Sequence, residues 1–310
     1  MKIKKATAFA PATVANVAVG FDILGFALKG LGETATVEKI SSREVVLMPI
    51  KGYENLSTNP LKNTATAGLV RLIKDKNFDF GFKVSLKKNI PVGSGLGGSS
   101  TSAVAAIVAA NSLLPKKLTR YELLDYALTG EEVASGSRHG DNIAPCLEGG
   151  LVFVRSQPQI SSVRIKTPKA LRCVIVLPEL SINTKDARGL LVQEISLKKM
   201  IEQTANLSGF LIGCLQNDMT LIKESLKDVV IEPQRARLVP GFYDLQSAAL
   251  KAGALGCSLS GSGPAIFALT ANQKIANQVQ KEFLATARKK NIRIKGSWIS
   301  PIASHGAHLL

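Results

Sequence analysis

Residues 91–102 read Pro91-Val92-Gly93-Ser94-Gly95-Leu96-Gly97-Gly98-Ser99-Ser100-Thr101-Ser102, and an alanine-rich run to Asn111 follows. Four glycines between positions 93 and 98 let the backbone turn tightly and come close to a ligand. Serine hydroxyls then stand where a helix should begin. A helix N-terminus, with unpaired N–H groups and partial positive charge, favours phosphate. The run Ala103-Val104-Ala105-Ala106-Ile107-Val108-Ala109-Ala110 is apolar all round, which predicts a helix buried on every side. A buried helix aimed at a glycine loop makes a rigid anion site. Upstream, Phe82-Lys83-Val84-Ser85-Leu86 alternates at period two and reads as a strand leading into the loop.

Two familiar phosphate loops are excluded. A Walker loop needs a Lys before its Ser/Thr, and no Lys lies between Lys88 and Lys116. Gly93, Gly95 and Gly98 satisfy G-x-G-x-x-G, but the dinucleotide motif wants a strand ending in an acidic residue about 20 residues on. Leu113-Leu114-Pro115-Lys116-Lys117 is basic and proline-broken instead. The order Pro-x-x-x-Gly-Leu-Gly, then small and Ser residues, then a helix, resembles the phosphate loop of the GHMP kinases. Their usual core is Gly-Leu-Gly-Ser-Ser-Ala. Here Gly98 replaces the first Ser, and Ser100 stands where Ala is usual. The resemblance implies that Pro91, Gly93, Ser94, Gly95, Leu96, Gly97, Gly98, Ser99 and Ser100 cradle ATP, with Ser99 at Mg²⁺ and phosphate.

The 310 residues suggest two domains, and 45% hydrophobic residues suffice for real cores. With aromatics at 5%, packing must rely on Leu, Ile, Val and Ala. No unbroken apolar run is long enough for a membrane span. Lys2, Lys4 and Lys5 before Ala6–Gly20 imitate a signal peptide, but Pro11, Thr13 and Asn16 interrupt it, so it reads as mature sequence. Cys146, Cys173, Cys214 and Cys257 are far apart with no C-x-x-C, as in reduced core residues of a cytoplasmic protein. The net charge of +16 admits nucleic acid as a partner, but the Lys and Arg are scattered without interleaved aromatics. A basic surface that attracts anionic nucleotides is the reading, with no nucleic acid and no membrane.

Other strands are expected near 4–10, 33–40, 43–48, 150–155, 171–177, 264–269 and 292–298. Thr119-x-x-Glu122 is a capping box opening a helix to about Ser135, with Leu124, Ala127, Leu128 and Glu131 on one face. Further helices fit 62–75, 186–200, 206–227, 241–252 and 272–289. The polar stretch Ser156–Lys169 marks a boundary, giving domains 1–162 and 163–310.

Three further segments carry polar residues in apolar settings. In Pro11-Ala12-Thr13-Val14-Ala15-Asn16-Val17-Ala18-Val19-Gly20-Phe21-Asp22-Ile23-Leu24-Gly25, Asn16 and Asp22 are costly to bury unpaired, although both also suit a turn at Gly20. Glu131 falls on its helix's buried stripe, where a carboxylate wants a cation, Mg²⁺ or a Lys; Glu132 shares a side with Asp125 and Thr129. Asn183–Arg188 and Glu232–Gly241 hold arginines, which match carboxylates through paired, charge-assisted bonds. No His spacing indicates zinc.

The first of these segments resembles the opening motif of homoserine kinases in particular, and Gly130–Pro145 resembles them again. The second glycine loop, Gly256-Cys257-Ser258-Leu259-Ser260-Gly261-Ser262-Gly263-Pro264, looks like the third GHMP motif, which packs beside the triphosphate. The resemblance covers residues 3 to about 300. It implies an α+β fold, a ribosomal-S5-domain-2-like domain followed by a ferredoxin-like domain, with the active site between them. It implies ATP, Mg²⁺ and L-homoserine as cofactors and substrate, and a homodimer. It implies substrate and catalytic roles for Asn16, Asp22 and His139, with Asp22 on the amino group. Asn142 is implied in catalysis beside Asp141. Arg188 and Arg235 are implied on the carboxylate with Thr184 nearby, Glu131 at Mg²⁺, and Asn63, Gly261 and Gly263 at the nucleotide. Another GHMP small-molecule kinase, or an S5-like RNA-binding protein, are the alternatives.

Overall fold

The computed structural model describes residues 4–156 and 159–310. Its strands are β1 (Lys5–Ala15), β2 (Leu24–Ile40), β3 (Val45–Leu47), β4 (Gly81–Lys87), β5 (Leu151–Arg155), β6 (Ser161–Ile165), β7 (Arg172–Pro178), β8 (Gly256–Leu259), β9 (Ile266–Thr270), β10 (Ile294–Pro301) and β11 (His308–Leu309). Its helices are α1 (Thr64–Lys76), α2 (Gly98–Leu113), α3 (Arg120–Ser135), α4 (Ile143–Glu148), α5 (Thr184–Gly189), α6 (Leu197–Gln216), α7 (Met219–Ser225), α8 (Glu232–Arg235), α9 (Phe242–Lys251) and α10 (Gln273–Lys289).

The first sheet runs β11-β1-β2-β4-β3, and only the β3–β4 pairing is parallel. β2 shares its other edge: β4 takes Thr34–Ile40, β5 takes Leu24–Phe26, and β6 extends β5. Helix α2 lies against β1 and β2, with α1 and α3 beside it. Its all-apolar run is buried except at Val108, which is partly exposed; Val104, Ala105 and Ala106 have no exposed surface. The α3 capping box is formed, with Thr119 and Glu122 exchanging side-chain and backbone bonds.

The second sheet runs β10-β7-β9-β8, all antiparallel. For strands numbered 1 to 4 along this half of the chain, that order is 4-1-3-2, the ferredoxin-like arrangement. Period two divides β7: Val174 and Val176 face a core with Leu245 of α9 and Phe283 of α10. Cys173, Ile175 and Leu177 face the first unit, joining Leu24, Phe26 and Leu28 of β2 in one core. Phe26 meets Phe267 edge-on, with ring centroids 6.2 Å apart. The two units therefore share an apolar interface.

Several expected boundaries move. β2, expected at 33–40, reaches back to Leu24; Leu24–Leu28 are buried on both faces and carry no alternation to announce them. The helix expected at 186–200 is only the short α5 followed by a non-helical stretch to Ser196, which caps α6 through Lys199 N–H. The helix expected at 206–227 is interrupted where Asn217 takes a left-handed φ of 59° and Asp218 caps α7. The residues on either side of the expected domain boundary, Ser162 and Val163, both lie in β6, which pairs with β5 in the first sheet. Met1–Ile3 and residues 157–158, which belong to the expected first domain and its boundary, lie outside the described residues.

Candidate active site

The cleft between the units is lined by the first glycine loop, the N-terminal turn, the end of α3, α5, Arg235 and the second glycine loop. Gly93, Gly95 and Gly97 take φ of 69°, 79° and 68°, in the left-handed region that glycine enters without strain. Gly97 is the N-cap of α2, so the loop delivers the helix N-terminus to the cleft. The second loop buttresses the first. Ser260 Oγ donates to Gly95 O at 2.7 Å, and Ala265 N donates to Ser94 O at 3.0 Å. A Cβ on Gly95 would lie 2.5 Å from Ser260 O.

Of the residues expected at the nucleotide, Leu96 and Gly263 do not line the cleft. The Leu96 side chain is in the inter-unit core, and its carbonyl accepts from Thr13 N–H at 3.2 Å. The Gly263 N–H donates to Ser260 O, so this glycine shapes its own loop behind the cleft. Asn63 does line the cleft, but its side chain is occupied. Its Oδ1 caps α1 through Ala65 N–H at 3.0 Å and its Nδ2 donates to Ser57 O at 2.8 Å.

Behind the loop lies an ion pair that the sequence reading missed. Lys88 Nζ is 2.9 Å from Glu33 Oε2, and both side chains are buried. Glu33 also accepts from Thr101 Oγ1 at 2.9 Å and Ser102 Oγ at 2.7 Å in the first turns of α2. The signal was present: Lys88 continues the inward phase of Phe82, Val84 and Leu86, and Glu33 that of Ala35 and Val37. Opposite charges on the inward phases of neighbouring strands predict a buried pair. Removing either partner alone would strand the other charge.

At the N-terminal turn, Asn16, Val17 and Ala18 take φ of 67°, 46° and 58°. Left-handed backbone costs about 1–2 kcal/mol per residue outside glycine, and such strain collects at functional sites. Asn16 holds the turn, accepting from Asp22 N–H at 3.1 Å and donating to Gly261 O at 3.0 Å across the units. Asp22, itself at φ 62°, accepts both Nη donors of Arg188, at 2.8 and 3.0 Å. Arg235 is buried and donates from Nη1 to Gly261 O at 3.1 Å. Its short helix is held by Asp228, whose carboxylate accepts from Val230, Ile231 and Glu232 N–H. Thr184 Oγ1 lies 3.5 Å from Ser262 Oγ. His139 Nδ1 is 3.5 Å from Asp22 Oδ2, and burial pulls its pKa below the ordinary 6.5, so the imidazole is neutral at pH 7.

At the other end of the cleft, Ser100 Oγ donates to Glu131 Oε2 at 3.2 Å, while Ser99 is exposed at the cleft rim. The hydroxyl bonded to Glu131 is thus that of Ser100, and Ser99, expected at Mg²⁺ and phosphate, is its neighbour at the rim. Burial raises the Glu131 carboxyl. Glu132 is exposed and pairs with Arg138, which also binds Asp125, so the phase assigned to the two glutamates holds. Asn142 Oδ1 accepts from Thr13 Oγ1 at 2.7 Å, tying β1 to the start of α4. Among the described residues no cluster of three or more His, Cys, Asp or Glu could hold a metal alone. Mg²⁺ nevertheless fits Glu131 and its serine neighbours, since it prefers one or two carboxylates plus phosphate and water.

Asp141 is buried between these ends. Burial, then the charges of Asp22 and Glu131, push its carboxyl from 3.8 up to about 8. The folded protein therefore binds a proton that the unfolded chain releases, and stability falls as pH rises between those two values. Asp141→Asn should raise the melting temperature of the ligand-free protein at pH 8, by at least about 2 kcal/mol in stability. The gain should vanish towards pH 4. A pH-independent difference in thermal melts would show that Asp141 does not titrate in this window.

Residues 63–150 match the model of the GHMP kinases N terminal domain, and residues 210–289 that of the GHMP kinases C terminal. The chain is 40% identical to a homoserine kinase of Chloroherpeton thalassium, over 99% of this chain and 100% of the relative. It is 42% identical to one of Xylella fastidiosa, over 99% of this chain and 94% of the relative. The crystal structure of a homoserine kinase from Cytophaga hutchinsonii superposes with a TM-score of 0.95 at 39% identity, covering 100% of this chain and 98% of that one.

Proposed function

This chain belongs to the GHMP kinases, and from that premise we propose that it transfers the γ-phosphate of ATP to the side-chain hydroxyl of L-homoserine, giving O-phospho-L-homoserine for threonine biosynthesis. The observation that carries the acceptor is the bidentate Asp22–Arg188 pair with Arg235 beside it. An α-amino acid bears an ammonium and a carboxylate on one carbon. A carboxylate and a guanidinium already side by side match that dipole, with Asp22 for the ammonium and the arginines for the carboxylate. A sugar or mevalonate would leave Asp22 without a cation from the substrate.

Phosphoryl transfer asks for positioning and charge stabilisation more than covalent chemistry. The glycine loop and the α2 N-terminus present N–H groups to the phosphates of ATP. Glu131, Ser100 and Ser99 would hold Mg²⁺, which neutralises developing phosphate charge when bound. Asn16 and Asn142 supply amides at the hydroxyl end, and the neutral His139 is able to take the hydroxyl proton. Direct attack without a strong base is the other route. Asp141 carries its own proton at neutral pH and is unsuited to that task in the ligand-free state.

Among the described residues no helix is long and apolar enough to cross a membrane. The four cysteines are free and buried, which supports a cytoplasmic protein. A homodimer, by likeness to the family, belongs to the same proposal. The experiment is ADP release measured over L-homoserine, mevalonate, shikimate and galactose with Mg²⁺-ATP. L-Homoserine should give the highest kcat/KM. Preference for mevalonate or shikimate would overturn the acceptor and leave the kinase standing.

A further inference from the structure

We propose that Phe21 is a positioning residue whose ring is the shared platform for the Arg188 and Arg235 guanidiniums. The proposal rests on the amino-acid reading above for its kinetic consequence, though not for its geometry. The Cζ of Arg188 lies 5.3 Å from the centroid of the Phe21 ring, and that of Arg235 lies 5.0 Å from it. Both distances are within cation–π range. A second observation concerns the same two side chains. Among the described residues, Nε of Arg188 and Nε of Arg235 are the buried side-chain polar atoms with no hydrogen-bond partner. Unpartnered buried donors are costly and rare. That both fall on arginines meeting at one ring gives them a common compensation, the negative π face.

The chemistry explains why an aromatic stands there. Two cations in one buried pocket repel, and burial together with the Arg188 charge already weighs against the Arg235 cation. A carboxylate at position 21 would hold both arginines but would compete with the substrate's own carboxylate. A ring attracts cations without accepting their strong in-plane hydrogen bonds, so the Nη donors stay directed at Asp22, Gly261 and an incoming anion. Phe21 reaches this place from the left-handed turn, one residue before Asp22. The same short segment therefore sets the ring and the carboxylate. Phe21 is half-buried and lies outside the three apolar cores, so its truncation leaves them intact.

The test compares wild type, Phe21→Leu and Phe21→Tyr. Phe21→Leu should raise KM for L-homoserine about tenfold, with kcat and KM for ATP changing less than about threefold. Phe21→Tyr should recover most of that loss, because it keeps the ring. In the ligand-free protein, the Nε–H resonances of Arg188 and Arg235 should carry an upfield ring-current shift that Phe21→Leu abolishes. Arg188→Lys and Arg235→Lys assign the two signals. An unchanged KM for L-homoserine in Phe21→Leu, equal damage from Leu and Tyr, or no shift in wild type would each overturn the platform. A wild type inactive on homoserine but showing the shifts would sink the acceptor reading and leave the platform standing.

Discussion

Gly97→Val is expected to lower kcat/KM for ATP at least about a hundredfold and to destabilise the fold by about 3 kcal/mol. The reason lies partly behind the loop. A Cβ on Gly97 would sit 2.1 Å from Thr13 Oγ1 and 2.9 Å from Asn142 Oδ1, the pair that ties β1 to α4. The backbone there also has φ 68°, which a β-branched residue strongly resists. Relief of either strain swings the α2 N-terminus away from the phosphates. A loss of nucleotide affinity without loss of stability, as steric blocking of phosphate alone would give, is therefore not expected. Thermal melts and ATP titration read the two effects separately. Gly97→Ala in a Thr13→Ala background should regain part of the stability by removing the closer clash, leaving the 2.9 Å contact with Asn142 Oδ1 and the φ penalty. Nucleotide affinity unchanged in a folded Gly97→Val protein would remove this loop from the ATP site.

Arg235→Leu should cost at least about 2 kcal/mol in kcat/KM for L-homoserine, roughly thirtyfold, while ATP affinity changes little. Arg235 is buried, donates from Nη1 to Gly261 O, and keeps an unpartnered Nε. Its removal takes a charged donor from the substrate and relieves repulsion with Arg188, so the variant should melt no lower than wild type. A homoserine ester lacks the carboxylate charge and should lose less on the same substitution. The double comparison, two proteins against acid and ester, isolates carboxylate recognition. Equal losses on both substrates would show that Arg235 does not read the carboxylate.

Much of this site was legible because its parts are local. The glycine loop, the all-apolar α2 and the capping box of α3 each announce themselves within a dozen residues. What escaped depends on distance. Thr13 meets Asn142 across most of the first unit, and nothing near either residue indicates the other. The left-handed turn at Asn16–Ala18 escaped because Val17 disfavours that backbone; only contacts from Gly261 and Asp22 explain its persistence. That Ser100 hydrogen-bonds Glu131 while Ser99 faces the cleft rim is a matter of helical phase. The loop sets that phase by ending at Gly97. Lys88 and Glu33 could have been found from strand parity, and β2 was cut short because strands buried on both faces show no alternation.

The last residues of the chain return to the first sheet. Phe9 and Ala8 pair with His308 and Leu309, and Ala303 N–H donates to Ala27 O. The first unit is thus not an N-terminal segment that folds and waits; the second is spliced between its body and its closing edge. During synthesis, the edge of β1 at Ala8 and Phe9 stays unpaired until β11, nearly three hundred residues further on, has been added. An exposed strand edge invites pairing with other chains. The nascent protein therefore carries its aggregation hazard longest at the strand that leads into the Asn16–Ala18 turn, and β11 acts as its stopper.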